Sequence, residues 1–234
     1  MLPIVSVLTL VFALPATSFL PPDAPVEVTS DPGVLMLAEL VSSVTEFYRD
    51  DRETLIRQLL ATRQLTVPGA QAWLRTYARR PEKERLPWRQ HAAVIILALG
   101  RSGEDGVGEF LRECVTWEPF NDYATFPDFA GMETGAKLRE YAAYALLTID
   151  PTTARDLALQ FLKKDPFASR LCPLILNICW VPKASKPLLD LARKSSWTTT
   201  IATALMVLRR RDPGMYITAL QVLRKELEGP APLV

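Results

Sequence analysis

Histidine occurs once in the 234 residues, at His91, and cysteine only three times, at Cys114, Cys172 and Cys179. That scarcity excludes much chemistry. There is no CxxC pair, no HExxH helix and no GxSxG elbow, so zinc, dithiol and serine-nucleophile sites lack their usual residue sets. Four of the ten glycines fall in Gly100–Gly108, read GRSGEDGVG, yet no Lys-Ser or Lys-Thr follows them, and a phosphate-cradling loop is not expected there. The segment is expected to close one helix and turn into the next. No catalytic residue, metal or cofactor follows from this inventory, and His91 is expected to be a packed helix residue. A formal net charge of +1 also rules out a polyelectrolyte chain. Cys172 and Cys179 stand seven residues apart on one apolar segment, too far along a helix to join each other. Buried free thiols are the leading expectation, and a bridge from Cys114 to one of the pair is the alternative.

What the chain does have is repetition. Ala158–Asp165 reads ALQFLKKD and Ala219–Glu226 reads ALQVLRKE, and each copy follows an Asp-Pro step, Asp150-Pro151 or Asp212-Pro213. Arg89-Gln-His-Ala-Ala likewise matches Arg139-Glu-Tyr-Ala-Ala, with apolar residues continuing past both. The repeated unit is therefore a helix, a tight turn and a second helix. Its alanines permit close approach of neighbouring helices, and Leu and Ile three and four residues away supply the buried stripe. Between Asp150 and Asp212, Phe167–Ile178 and Pro187–Lys194 form one further pair of apolar-periodic segments. The nineteen prolines fall mainly between helical runs, where they start helices instead of breaking them. The predicted fold is all-α, an α-α superhelix of about five helix pairs, since one such pair cannot cover its own apolar stripe.

On Arg139, Ala142, Ala143, Leu146, Leu147, Asp150, Pro151, Ala154 and Leu162 the chain resembles the HEAT-like α-solenoids, including their short bilin-lyase-type variant. The likeness extends over residues 52–228 and marks packing positions. It implies a right-handed superhelix and, most often, a protein-binding role, and it carries over no catalytic residue. Some proteins of this fold are enzymes acting on bilins or DNA, which keeps a bilin lyase-like enzyme as an alternative.

The N-terminal stretch is of another kind. Leu2–Leu20 is almost wholly apolar, and no Lys or Arg precedes Arg49. Residues 1–18 are read as a signal peptide with Val5–Ala13 as its apolar region and Ala16-Thr17-Ser18 as the small-residue site. An uncleaved anchor and an apolar first segment are the alternatives. Residues 19–34 follow as an extended leader, 35–228 as the α-solenoid domain and 229–234 as a tail. The expected location is thus outside the cytoplasm: periplasm, cell envelope or extracellular space. Of the 27 basic and 26 acidic residues, 12 and 18 lie up to Ala136, and 15 and 8 beyond it. The later half is basic, with Lys163-Lys164, Arg209-Arg210-Arg211 and Arg224-Lys225 near helix ends, where cations complement the helix dipole. A basic edge also attracts acidic partners, though export disfavours nucleic acid.

The most individual segment is an insertion at 117–131, in which aromatic residues recur every third position: Trp117, Phe120, Tyr123, Phe126 and Phe129. Pro119 and Pro127 exclude a regular α-helix, and the spacing of three suits a 3₁₀ turn or an extended polyproline-like strand. Two readings apply, a strap buried over the stack or a partner-binding element. The function expected from these observations is a non-catalytic, exported protein-interaction scaffold that binds another protein through its concave face or these five aromatics. An envelope-anchored assembly factor is the alternative if the N-terminal segment is retained, the one case in which a membrane is a partner.

Overall fold

The computed structural model describes residues 67–127, 133–165 and 168–228, and there the chain is mostly helical. The expected signal peptide, leader, first part of the solenoid domain (35–66), Phe129 and the 229–234 tail lie outside the described residues. So does Phe167 at the start of the apolar-periodic segment Phe167–Ile178. Among the described residues no helix is long and apolar enough to cross a membrane.

Helix α1 (Val67–Arg79) buries Val67, Ala70, Trp73, Leu74 and Tyr77, a stripe at helical spacing. A one-turn helix α2 (Glu82–Arg85) runs through a 3₁₀ turn, Leu86–Trp88, into α3 (Arg89–Ser102). Every residue of α3 from His91 to Gly100 is buried. A helix with no polar face must be covered on all sides, and α3 packs against α1, α4 (Val107–Thr116), α5 (Leu138–Ala145) and strand β1 (Tyr123–Pro127). Gly103 and Gly106, at φ +70° and +78°, turn the chain between α3 and α4. The left-handed conformation favours glycine, so the glycine-rich segment serves as the expected helix stop.

The later helices are α6 (Pro151–Lys164), α7 (Leu171–Ile178), α8 (Ser185–Lys194), α9 (Thr198–Arg211) and α10 (Pro213–Glu228). First helices of successive pairs touch in order, α1 on α3, α3 on α5, α5 on α7 and α7 on α9. Second helices do likewise, α6 on α8 and α8 on α10. Within their pairs α3 packs on α4, α5 on α6 and α9 on α10. The last helix buries Ala219 and leaves Ile217 and Leu220 exposed, as expected of a helix with neighbours on one side.

The two Asp-Pro steps do equivalent work. Asp150 accepts a hydrogen bond from the Thr153 amide (3.0 Å) and Asp212 from the Met215 amide (3.0 Å), so each caps the second helix of its pair. Hydrogen bonds from Thr153 and from Ser185, respectively, hold the two carboxyls below the usual aspartate range. Each carboxylate also accepts from the second helix of the preceding pair. Arg112 on α4 donates to Asp150 at 3.0 Å, and Ser185 on α8 donates to Asp212 at 2.5 Å. One residue type at a repeated position thus closes a turn and links neighbouring units.

One expectation requires correction. Strand β1 pairs antiparallel with β2 (Glu133–Lys137), Tyr123 opposite Lys137 and Pro127 opposite Glu133, so a hairpin interrupts the helices and extends past the expected end of the insertion at residue 131. Its Ala124 and Ala136 are buried while Tyr123 and Thr125 are half-buried, the alternation of a sheet with one covered face. The covering element is α3, whose Gln90 donates from Nε2 to the Thr125 carbonyl at 2.9 Å.

The small residues meet where the repeat requires them. A Cβ at Gly100 of α3 would lie 2.6 Å from the Ala145 carbonyl oxygen and 2.7 Å from its Cβ on α5, and Thr148 donates its hydroxyl to the Gly100 carbonyl. Gly100→Ala forces backbone apart. Overpacking of about 1–3 kcal/mol outweighs the roughly 1 kcal/mol that alanine gains in helix propensity. Urea unfolding is expected to show Gly100→Ala about 1 kcal/mol less stable than the wild type; equal or greater stability would contradict the close α3–α5 approach.

Candidate functional site

Two surfaces qualify as candidate sites, the aromatic insertion and a groove between α6 and α8. The insertion begins as a 3₁₀ turn, Glu118–Asn121, in which residues three apart share one side, and this brings Trp117 and Phe120 together with ring centroids 5.1 Å apart. Phe120 is fully buried, edge-on to Tyr77 of α1 at 6.2 Å. It offers no surface to a partner. Trp117 is half-buried against Phe110 (5.7 Å), with the Arg75 guanidinium 5.6 Å from its ring. From Tyr123 onward the backbone is a strand, so side chains alternate with period two and the three-residue aromatic spacing ceases to define one face. Tyr123 is half-buried with the Lys137 ammonium 5.6 Å from its ring, and burial pushes its phenol up to about 12. Phe126 lies within β1, and Phe129 lies outside the described residues. Of the two readings of the insertion, partner contact is corrected for Phe120, which is buried and anchors a strap.

What fixes the strap is a carboxylate that lies between the aromatic residues of the insertion. Asp122 is buried and accepts from Arg85 Nε (2.7 Å), Arg85 Nη2 (3.3 Å) and the Tyr77 hydroxyl (2.8 Å). Arg85 Nη1 also donates to the Arg80 carbonyl at 2.6 Å. Its hydrogen bond to Asp122 raises the Arg85 pKa, while burial raises that of Tyr77, so one stays a cation and the other a donor. This cluster joins α1, α2 and the insertion. A shallow cleft of about 300 Å³ beside it is lined by Arg75, Arg79, Glu113, Trp117, Glu118 and Pro119.

Comparison with protein-family models, curated proteins and solved structures finds no match to this chain.

The second surface is larger. A groove of about 470 Å³ lies between α6 and α8, and Lys163, Lys183, Lys186 and Lys194 line it together with Asp165, Asp190, Leu162, Pro187 and Leu191. Lys163 belongs to the basic residues singled out in the sequence. The other three were not, although Lys183, Lys186, Asp190 and Lys194 recur at spacings of three and four, which places them on one side of α8 and the turn before it. At one end Asp165 is buried and already paired, with Lys137 and with Arg139 (3.1 Å). Its charge is spent on the α5 side. Among the described residues no ion pair engages the four groove lysines, which are all exposed.

The reactive groups elsewhere are packed away. Cys114 and Cys172 are buried free thiols, and burial pushes both far above the range in which a thiolate forms at neutral pH. Cys179 is half-buried at the end of α7 and also free. His91 is buried with its ring 4.9 Å from Trp88. Glu140 is fully buried and accepts from the backbone amides of Ser169 (3.2 Å) and Lys137 (3.3 Å), which ties the start of α5 to the start of α7; burial raises its pKa. Among the described residues no group of three or more His, Cys, Asp or Glu side chains is placed to hold a metal ion.

Breaking the Asp122 cluster tests the strap. Asp122→Asn leaves Arg85 buried without its anion, and a loss of about 3 kcal/mol in chemical denaturation is expected, against about 1 kcal/mol for Tyr77→Phe. Similar, small losses for both variants would show that the carboxylate does not hold the insertion.

Proposed function

We propose that this chain is a non-catalytic protein-interaction scaffold, an α-α superhelix of HEAT-like helix pairs that docks another protein on the surface of the stack. Support comes from the packing of first helix on first helix from α1 to α9 and of second on second from α6 to α10, the kind of stacking that builds extended binding surfaces. The observation that carries the reading is the α6–α8 groove, where four exposed lysines with their aliphatic stems surround the half-buried Pro187. A protein surface supplies both kinds of complement at once. The insertion takes a lesser part, since only part of Trp117 and Tyr123 remains accessible while Phe120 is interior. His91 against Trp88 and the two buried thiols also favour binding over catalysis. The apolar Leu2–Leu20 stretch supports export; its retention as an anchor would make the protein an envelope-anchored assembly factor with the same docking surface.

The test is a photo-crosslinking residue placed at Lys186, at Trp117 and, as a remote control, at Glu109 on α4, in cells that make the full chain. A discrete adduct with another polypeptide is expected from Lys186 and none from Glu109. No adduct from Lys186 or Trp117, or the same diffuse set from all three positions, would contradict the scaffold reading.

A further inference from the structure

The lysine groove has a composition narrow enough to define the chemistry of what it holds. Its cations form a row. Lys183, Lys186 and Lys194 extend over about three helical turns, roughly 16 Å, along α8 and the 3₁₀ turn before it, and Lys163 faces them from the last turn of α6. Of the carboxylates near them, Asp165 is paired with Lys137 and Arg139, and Asp156, whose charge reaches Lys183, is paired with Arg155, which leaves Asp190 against four ammonium groups. The site is therefore strongly electropositive. Between the cations the accessible apolar floor is the half-buried Pro187 with the aliphatic lysine stems beside it, and Leu162 and Leu191 are buried beneath them.

We infer that the groove binds an acidic, amphipathic segment of a partner protein, with Glu or Asp side chains along the lysine row and Leu- or Ile-like side chains on the aliphatic floor. This rests on the scaffold reading and specifies its partner. Charge complementarity identifies the ligand as anionic, and the floor identifies it as a polypeptide. A nucleic acid or polyphosphate uses the lysine ammonium groups but leaves Pro187 and the aliphatic lysine stems without a complement, and the arginine forks and aromatic stacking platforms of such sites are missing from this lining. Lysine suits a partner whose carboxylates are spaced along a helix or strand, since each ammonium acts as a point charge on a flexible stem. Its four-carbon stem also extends the apolar floor toward the partner.

The experiment uses the full chain and a fluorescein-labelled peptide of about twelve residues, three helical turns, with Glu on one face and Leu on the other. Anisotropy is expected to show saturable binding that weakens steeply with salt, as partly exposed charge pairs do. Lys183→Glu combined with Lys186→Glu is expected to weaken it about tenfold or more, because like charges then face each other across the site. Lys183→Gln with Lys186→Gln should give a smaller loss, and thermal melts should show both variants folded. A peptide with Leu replaced by Ser is expected to bind about tenfold more weakly. Equal binding of that peptide or of inorganic polyphosphate would overturn the inference in favour of a general polyanion surface. Two further results would overturn it by naming another occupant. One is preferential binding of a peptide spanning residues 23–51 of this chain, which carry seven acidic residues and one basic residue. The other is self-association abolished by the same charge reversals. A Lys186 crosslink to a partner, together with indifference to peptide charge, would leave the scaffold reading in place and remove this one.

Discussion

A helix that has no polar side constrains everything near it. Residues 91–100 of α3 are buried on every face, and no isolated helix pair has enough surface to cover such an element. The chain covers it from four directions: α1 before it, α4 and α5 after it, and the hairpin laid across from the insertion. The α3–α5 contact is the tightest of these, with Gly100 against the Ala145 backbone. Cα-to-backbone contact of that kind allows no intermediate spacing, so the separation of successive pairs is set by the smallest side chains in the seam. The hairpin becomes intelligible on the same grounds. It closes the side of α3 that repetition alone leaves open, and the Asp122 cluster fastens it to α1 and α2.

Further along the chain the constraint relaxes. Later units are joined by polar links as well as by apolar packing, and these links recur. Asp150 and Asp212 each cap one helix and receive a donor from the preceding pair, and Asp165 gathers Lys137 and Arg139 at the end of α6. Carboxylates of the basic half are thus drawn into the joints between units. The lysines are left outward. The electropositive groove is a consequence of where the acids are used, not only of how many bases the segment contains.

Much of the helical framework was legible in the amino-acid order. The Asp-Pro steps sit at helix starts, Gly103 and Gly106 make the turn, and the alanines of the matched RQHAA and REYAA segments are buried. These features are local, and local rules of capping and spacing read them directly. The hairpin was not legible because Tyr123–Pro127 and Glu133–Lys137 alternate weakly and the aromatic spacing of three obscured the strand. The pairing of Asp122 and the groove were hidden for a different reason. Each depends on partners far away in sequence, Arg85 and Tyr77 for the first and the pairing of α6 with α8 for the second, and no periodicity links such positions.

The central claim is that successive helix pairs share one core organised around α3, and native-state hydrogen exchange tests it most directly. The account predicts that amides of α3 from Val94 to Gly100 and those of α5 exchange together, only through the largest opening of the molecule, while those of α10 at the exposed end exchange first. Exchange of α3 as early as α10, or independently of α5, would contradict it.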